Sequence, residues 1–377
     1  MSALPNIPLS RPLFGEEEIV AVRRVLESGE IGQGREVEAF ETAVATVQLM
    51  PHAVAVSSAT AGLHLTYLAL GIGPGDVVLI PSFAWPSAAN MAVRVGAVPF
   101  FVDVDPVTAN LTGEALSRGM RLVRERGLGK ARAVVVVHQF GLPAVMEELL
   151  EVARAADLIV IEDAAGALAA KHHARQLGHF GRAAVFSFSA RNAVSTGEGG
   201  LVVTKEPALA DTIRALRNHG EETREGRRDF TCAGFNYRLT ELQAAIGLAQ
   251  LKRLTGILET KKSLASLYFA ELDGRRGLSL PPNSPEHTWQ TFMITLESAA
   301  ERQCIHEACK AAGIETGPGS VAAHTTAVWG QQFLQPEDSC PASTRLATCG
   351  LALPLHPRLT DDDMRRVVAT LKKALQT

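Results

Sequence analysis

The chain has 377 residues, 46% of them hydrophobic and 20% charged, with a formal net charge of -3. This length supports a large core and a second domain, and the near-neutral balance gives no basic footprint for nucleic acid. No run reaches the ~18 unbroken apolar residues of a membrane helix. The N-terminal "MSALPNIPLSRPLFGEEEIV" places prolines and acids where a signal peptide has an apolar stretch, so a cytoplasmic protein is expected.

Short apolar runs follow in order: His52–Ser57, Val77–Phe83, Val98–Val104, Ala131–His138, Leu158–Asp163, Ala183–Phe188 and Gly200–Thr204. Each reads as a buried strand. Between them, Thr60–Leu70, Pro86–Val95 and Pro143–Ala155 space their apolar residues as helices do. Near-continuous apolar strands alternating with crossover helices predict a mostly parallel seven-stranded sheet with helices on both faces. The functional residues of such a sheet lie just beyond the carboxyl ends of its strands. From Leu239 a helical pattern runs for more than ~25 residues, reading as one long connector into a smaller α+β unit. The expected division is a large α/β domain over 1–250, including the N-terminal segment, and a small domain over 251–377.

The five cysteines (Cys232, Cys304, Cys309, Cys340, Cys349) show no CxxC spacing and read as free thiols. The 11 histidines are scattered, and no metal site is expected.

The strand ends carry the chemistry. "SSATAGLH" sets Ser, a small residue and Thr before a helix, which suits either a phosphate cradle or an ordinary helix cap. Trp85 in "PSFAWPS" suits stacking on a flat ring or ordinary packing. Asp163, ending "LIVIED", could hold a proton on a heteroaromatic nitrogen or cap a helix. Ser187 in "FSFSARN" is a candidate phosphate ligand.

Several blocks occur together in order: "IPLSRPLFGEEEIVAVRRVLESGEIGQG", "VSSATAGLHLTYLALGIGPGDVVLIPSFAWPSAANM", "VIEDAAGALAA", "FSFSARNAVSTGEGGLVVT", "GFNYRLTELQAAIGLAQL" and "LPLHPRLTDDDM". Over nearly its whole length the chain resembles the DegT/DnrJ/StrS family of fold-type I sugar aminotransferases, which depend on pyridoxal phosphate (PLP). "SSATAG" with "GIETGPGSVAAHT" is most similar to the branch that aminates nucleotide-linked 4-keto-pentose. The resemblance implies that Ala59 and Thr60 hold the cofactor phosphate, with Ser187 touching it. It implies that Trp85 stacks on the pyridine ring and Asp163 pairs with its nitrogen. Asn236 and Arg238 of "GFNYR" would reach the cofactor of a second subunit, implying a homodimer with shared sites. A small-molecule substrate such as a nucleotide sugar is implied, with neither nucleic acid nor membrane as partner.

The family loop reads roughly S-F-H-x-x-K-N. Without gaps, its histidine falls on Ser189 and its lysine on Asn192; a one-residue slip puts Arg191 at the lysine. Asn has no basic nitrogen, and Arg stays protonated, so neither can bond covalently to the aldehyde or shuttle protons. Gly166 stands where the family has His or Gln, and "PGSV" (Pro318–Val321, including Gly319 and Ser320) replaces bulkier residues before His324. Three departures at once fit natural divergence better than one engineered change. They suggest an enlarged substrate pocket around Gly166, Gly319, Ser320 and His324. His138, His219 and His324 are the candidate substitute bases, each with a structural role as the plainer reading. Ordinary PLP transamination by this chain alone is not expected. Three readings stay open: an aminotransferase-like protein binding PLP or its amine form (PMP) non-covalently, an enzyme that dropped the cofactor for another reaction such as group transfer, or a non-catalytic partner of an active homologue.

Overall fold

The computed structural model of the chain describes residues 6–332 and 339–375. Helices α1 (Glu16–Ser28) and α2 (Arg35–Gln48) precede β1 (His52–Val56) and α3 (Ala59–Ala69). Then come β2 (Asp76–Pro81), α4 (Ser87–Arg94), β3 (Val98–Val102), α5 (Gly113–Glu125), β4 (Lys130–Val137), α6 (Met146–Ala155) and β5 (Ile159–Asp163). A small hairpin, β6 (Lys171–His172) and β7 (Arg175–Gln176), leads to β8 (Ala183–Ser187), β9 (Gly200–Thr204) and α7 (Pro207–Arg217). A second hairpin, β10 (Glu221–Arg224) and β11 (Arg227–Phe230), precedes α8 (Glu241–Lys252) and α9 (Leu254–Leu272).

The central sheet has seven strands in the order β1-β9-β8-β5-β4-β2-β3. The β3–β2, β2–β4, β4–β5 and β5–β8 pairs are parallel; α4, α5 and α6 carry the chain back over the sheet from β2 through to β5, and the segment holding β6 and β7 does so between β5 and β8. β9 pairs antiparallel with β8 and with β1. Strand alternation feeds both faces. Val54, Val56, Ile80 and Ile161 pack with α3, α4 and α7, whereas Ala53, Ala55 and Phe186 pack with α2 and α8 on the opposite side. Val77, Leu79 and Val134 close that second face against α5 and α6.

The single long helix expected from Leu239 is in fact two. Thr240 and Gln243 form a capping box at the start of α8, and the helix ends at Arg253 before α9 begins. The Arg253 guanidinium bonds to the Leu13 carbonyl and to Glu18. This fixes the turn while the apolar period continues through it.

The C-terminal unit comprises β12 (Leu278–Ser279), β13 (Phe292–Leu296), α10 (Ala299–Ala311), α11 (Ala327–Gln332), α12 (Pro341–Cys349), β14 (Gly350–Leu353) and α13 (Asp361–Ala374). Its three-stranded sheet, β12-β13-β14, shares a core with α9, α10 and α13. Ile7 from the other end of the chain lies in that core and bridges Ile314. All five cysteines are unpaired. Among the described residues no helix is long and apolar enough to cross a membrane.

Candidate cofactor and substrate site

The ends of β1, β2, β4, β5 and β8 open into one cleft of about 410 Å³. Beyond β1 lie Ala59 and Thr60, beyond β2 Trp85; β5 ends in Asp163 with Gly166 following, β8 ends in Ser187, and the loop after it carries Ser189, Arg191 and Asn192. The C-terminal unit closes the cleft with Gln290, Gly319 and Ser320. Twelve of the residues expected from the sequence therefore meet in one place: Ala59, Thr60, Trp85, His138, Asp163, Gly166, Ser187, Ser189, Arg191, Asn192, Gly319 and Ser320.

One side of the cleft carries groups whose chemistry fits an anion attached to a flat ring. The Ser58 side chain caps α3 by accepting from Ala61 N–H at 3.1 Å, so the Ala59 and Thr60 N–H groups of the first turn face outward without helical partners. Gly200 lets β9 start directly against this turn, since a Cβ there would lie 2.3 Å from the Ser58 carbonyl carbon. Asp163 is buried, and its Oδ1 accepts from Ala165 N–H at 3.1 Å. Its second oxygen has no protein donor among the described residues. Burial raises the Asp163 carboxyl above its ordinary range, partly offset by the Ala165 N–H and by His138. A cation at the free oxygen would offset that burial further. Trp85 is 67% exposed, so its indole is not an ordinary core side chain. These groups fit the phosphate and protonated ring of a PLP-type cofactor.

The other side does not fit a covalent link. The Asn192 amide donates to the Ser187 carbonyl at 2.8 Å and to Ser189 Oγ at 3.2 Å, so both its hydrogens are used within the loop. Ser187 Oγ accepts from Ser189 N–H at 3.3 Å. Arg191 also lines the cleft, with no carboxylate paired to it among the described residues. Burial lowers its guanidinium pKa, but from a value so high that it keeps its charge.

None of the three histidines stands ready as a base in the cleft. His138 Nδ1 accepts from Ala144 N–H at 3.1 Å, so its proton sits on Nε2, facing Glu162 at 3.2 Å. Burial would raise the Glu162 carboxyl, but His138 and the Gly178 and Gly181 N–H groups bring it below the ordinary range. His324, expected in the substrate pocket, instead lies fully buried behind the wall. Its Nδ1 is 2.5 Å from Ser82 Oγ and its Nε2 3.4 Å from Thr344 Oγ1. His219 is exposed on a left-handed turn (φ 59°) away from the cleft. Asn236 and Arg238 also lie outside it. Asn236 bridges Asn218, whose Oδ1 accepts from Arg238 at 2.5 Å.

The pocket is not enlarged at its glycines. A Cβ on Gly166 would come 2.9 Å from Gln290 Cγ, and one on Gly319 would come 2.3 Å from Met293 Sδ and 2.6 Å from Phe140. The chain's own side chains fill both spaces, and Gln290 sets its amide beside Gly166. Sequence reasoning missed Gln290, which sits more than a hundred residues from the loops it touches. It also missed Lys261, a buried lysine whose Nζ lies 3.4 Å from the Gln290 carbonyl. No carboxylate pairs with Lys261 among the described residues. Burial, then the Arg191 charge, pushes its amine down to about 8. The signal was present: Leu254, Ile257, Lys261, Leu264 and Tyr268 form one helical stripe, and a lysine in such a stripe is buried.

Comparison with known proteins supplies the lineage of this arrangement. Residues 12–372 match the DegT/DnrJ/EryC1/StrS aminotransferase family. The chain belongs to this family. It is similar to the aminotransferase TlmJ from Streptoalloteichus hindustanus, at 31% identity and a TM-score of 0.89, over 98% of this chain and 99% of that one. DesV from S. venezuelae is 30% identical with a TM-score of 0.90, over 99% and 100% of the two chains. Helicobacter pylori PseC, an aminotransferase involved in pseudoaminic acid biosynthesis, is 24% identical with a TM-score of 0.90 over 99% and 100%, a likeness of fold. The family and the fold, that of fold-type I PLP-dependent aminotransferases, agree with the expectation from the sequence blocks.

Proposed function

We propose that this member of the family binds PLP or PMP without a covalent link and acts in the cytoplasm on an amino or keto sugar, such as a nucleotide sugar, or a related biosynthetic metabolite. One observation carries the reading: the cradle, Asp163 and Trp85 converge on the same cleft as Asn192, whose amide is consumed by the loop. When bound, the cofactor supplies an electron-withdrawing ring. The α3 N–H groups and Ser187 hold its phosphate, Asp163 keeps the proton on its ring nitrogen, and Trp85 covers one face. Asn192 neither attaches the cofactor nor moves a proton. Arg191 keeps a fixed positive charge at the reacting end, where it orients an acidic or carbonyl oxygen of the substrate.

Asn236 and Arg238, lying outside their own chain's cleft, suit a role at the cleft of a second subunit, and we assign them there in a homodimer. The same placement favours a second reading, in which the chain completes the site of an active homologue. Co-expression with such a homologue then creates activity absent from either chain alone. The cofactor-free reading loses its main support, since Gln290, Met293 and Phe140 fill the spaces it needs.

The deciding experiment is calorimetric titration of the purified protein with PLP and with PMP, beside Asp163→Ala. Loss of the charge-assisted bond should weaken binding at least tenfold, on the order of 1.5–3 kcal/mol. If the unaltered protein binds neither form more tightly than the variant, the reading is wrong.

A further inference from the structure

The β6–β7 hairpin lies away from the cleft, and its turn is unusual. Adjacent strand residues normally point to opposite faces. Here His173 and Ala174 both take left-handed backbone (φ 48° and 65°), and the rings of His172 and His173 come to 4.2 Å between centroids. His172 is buried, and both of its ring nitrogens face carboxylates. Nε2 is 2.7 Å from Glu147 Oε2 on α6, and Nδ1 is 3.4 Å from Glu286 Oε2 on the segment before β13. Glu286 also accepts the His173 N–H at 2.6 Å, which holds the turn. One ligating atom from each of Glu147, His172 and His173 lies within 4.8 Å of the others.

The hydrogen bond of this ring is the Nε2–Glu147 contact, while Nδ1 lies at ion-pair distance from Glu286. A divalent metal would take the Nε2 lone pair and the Glu147 carboxylate in place of that bond, leaving Nδ1–H to face Glu286. We infer that Glu147, His172 and His173 form a binding site for a borderline divalent transition metal of the zinc class, oriented by Glu286. Two imidazoles and one carboxylate suit Zn²⁺, Co²⁺ or Ni²⁺ and not Mg²⁺ or Ca²⁺, which take oxygen ligands. Bonds of about 2.0–2.1 Å at tetrahedral angles need ligand atoms roughly 3.3 Å apart. The His172–Glu147 contact must therefore open slightly. Glu147 can move, its side chain being 59% exposed. Glu286, facing Nδ1, would supply the second interaction that fixes the ring of a metal-binding histidine. Such a metal would pin the hairpin to α6, with Glu286 tying in the C-terminal unit.

The test uses full-length, tag-free, chelator-dialysed protein titrated with Zn²⁺ by calorimetry, and with Co²⁺ followed by visible absorbance. One saturable site per chain is expected. Glu147→Gln, on an exposed side chain, and His173→Asn, which tolerates the left-handed turn, should each abolish saturation. Glu286→Gln should weaken affinity about tenfold. Circular dichroism in chelator checks that each variant is folded. The inference fails if the unaltered protein shows no saturable Zn²⁺ binding, or if folded Glu147→Gln and His173→Asn bind as tightly as it does.

Discussion

The two sides of the cleft are made of different materials. The cradle side relies on main-chain N–H groups at the start of α3, on a strand-end aspartate and on a glycine contact between β9 and the turn. These belong to the fold, and changing them disturbs the sheet. The facing loop depends on single side chains, Ser189, Arg191 and Asn192, that project from a turn tied back to its own backbone. Such side chains can be exchanged with little consequence for folding. In the proposed reading, capacity to bind a cofactor and capacity to react through it are separable, and only the second depends on this loop.

The largest effect should come from reversing that position. Asn192→Lys breaks two loop hydrogen bonds but returns a primary amine to the cleft. With excess PLP the variant should turn yellow and retain stoichiometric cofactor after borohydride reduction, whereas the unaltered chain retains none. A colourless variant would mean that the cradle no longer accepts PLP, and the contrast between the two sides would collapse.

Next comes Lys261→Met. The folded amine titrates near 8, below its ordinary 10.5. The unfolded chain therefore holds the extra proton between those values, and stability rises with pH across that window. The burial penalty is fully present below about pH 8, so the variant should there be more stable by about 3 kcal/mol. The advantage should close toward pH 10.5, as read from urea melts of both proteins; a gap that ignores pH would show that the folded amine keeps its ordinary pKa.

Gly200→Ala tests the cradle. Its Cβ would meet backbone and not a flexible side chain, so we expect a loss of about 1–3 kcal/mol together with weaker PMP binding. Gly166→Ala should do least, about 1 kcal/mol, because Gln290 Cγ must shift to admit the new methyl but no backbone stands in its way. If Gly166→Ala harmed cofactor binding more than Gly200→Ala, the division of labour between the two sides would be wrong.

The seven strands could be read almost to the residue because strands buried on both faces leave an unbroken apolar record. The convergence of Ala59, Thr60, Trp85, Asp163 and Ser187 on one cleft was legible for a related reason: each ends or follows a strand, where local order fixes position. What failed was non-local. The break at Arg253 leaves the helical period intact, so it has no signature in periodicity. The bonding of His138 and His324 depends on Glu162 and Ser82, 24 and 242 residues away. Gly166 read as a vacancy only because Gln290, which occupies the space, comes from another part of the chain.

The placement of Ile7 has a consequence for biogenesis. Its N–H donates to Gly313, its carbonyl accepts from Glu315, and its side chain shares a core with Leu371 on α13. The small unit therefore cannot close until α13 has left the ribosome. The large sheet, complete at Thr204, can assemble well before then. The newborn protein would carry a formed cradle while Gln290 and Ser320 are still being synthesised, and the cleft would gain its far wall last.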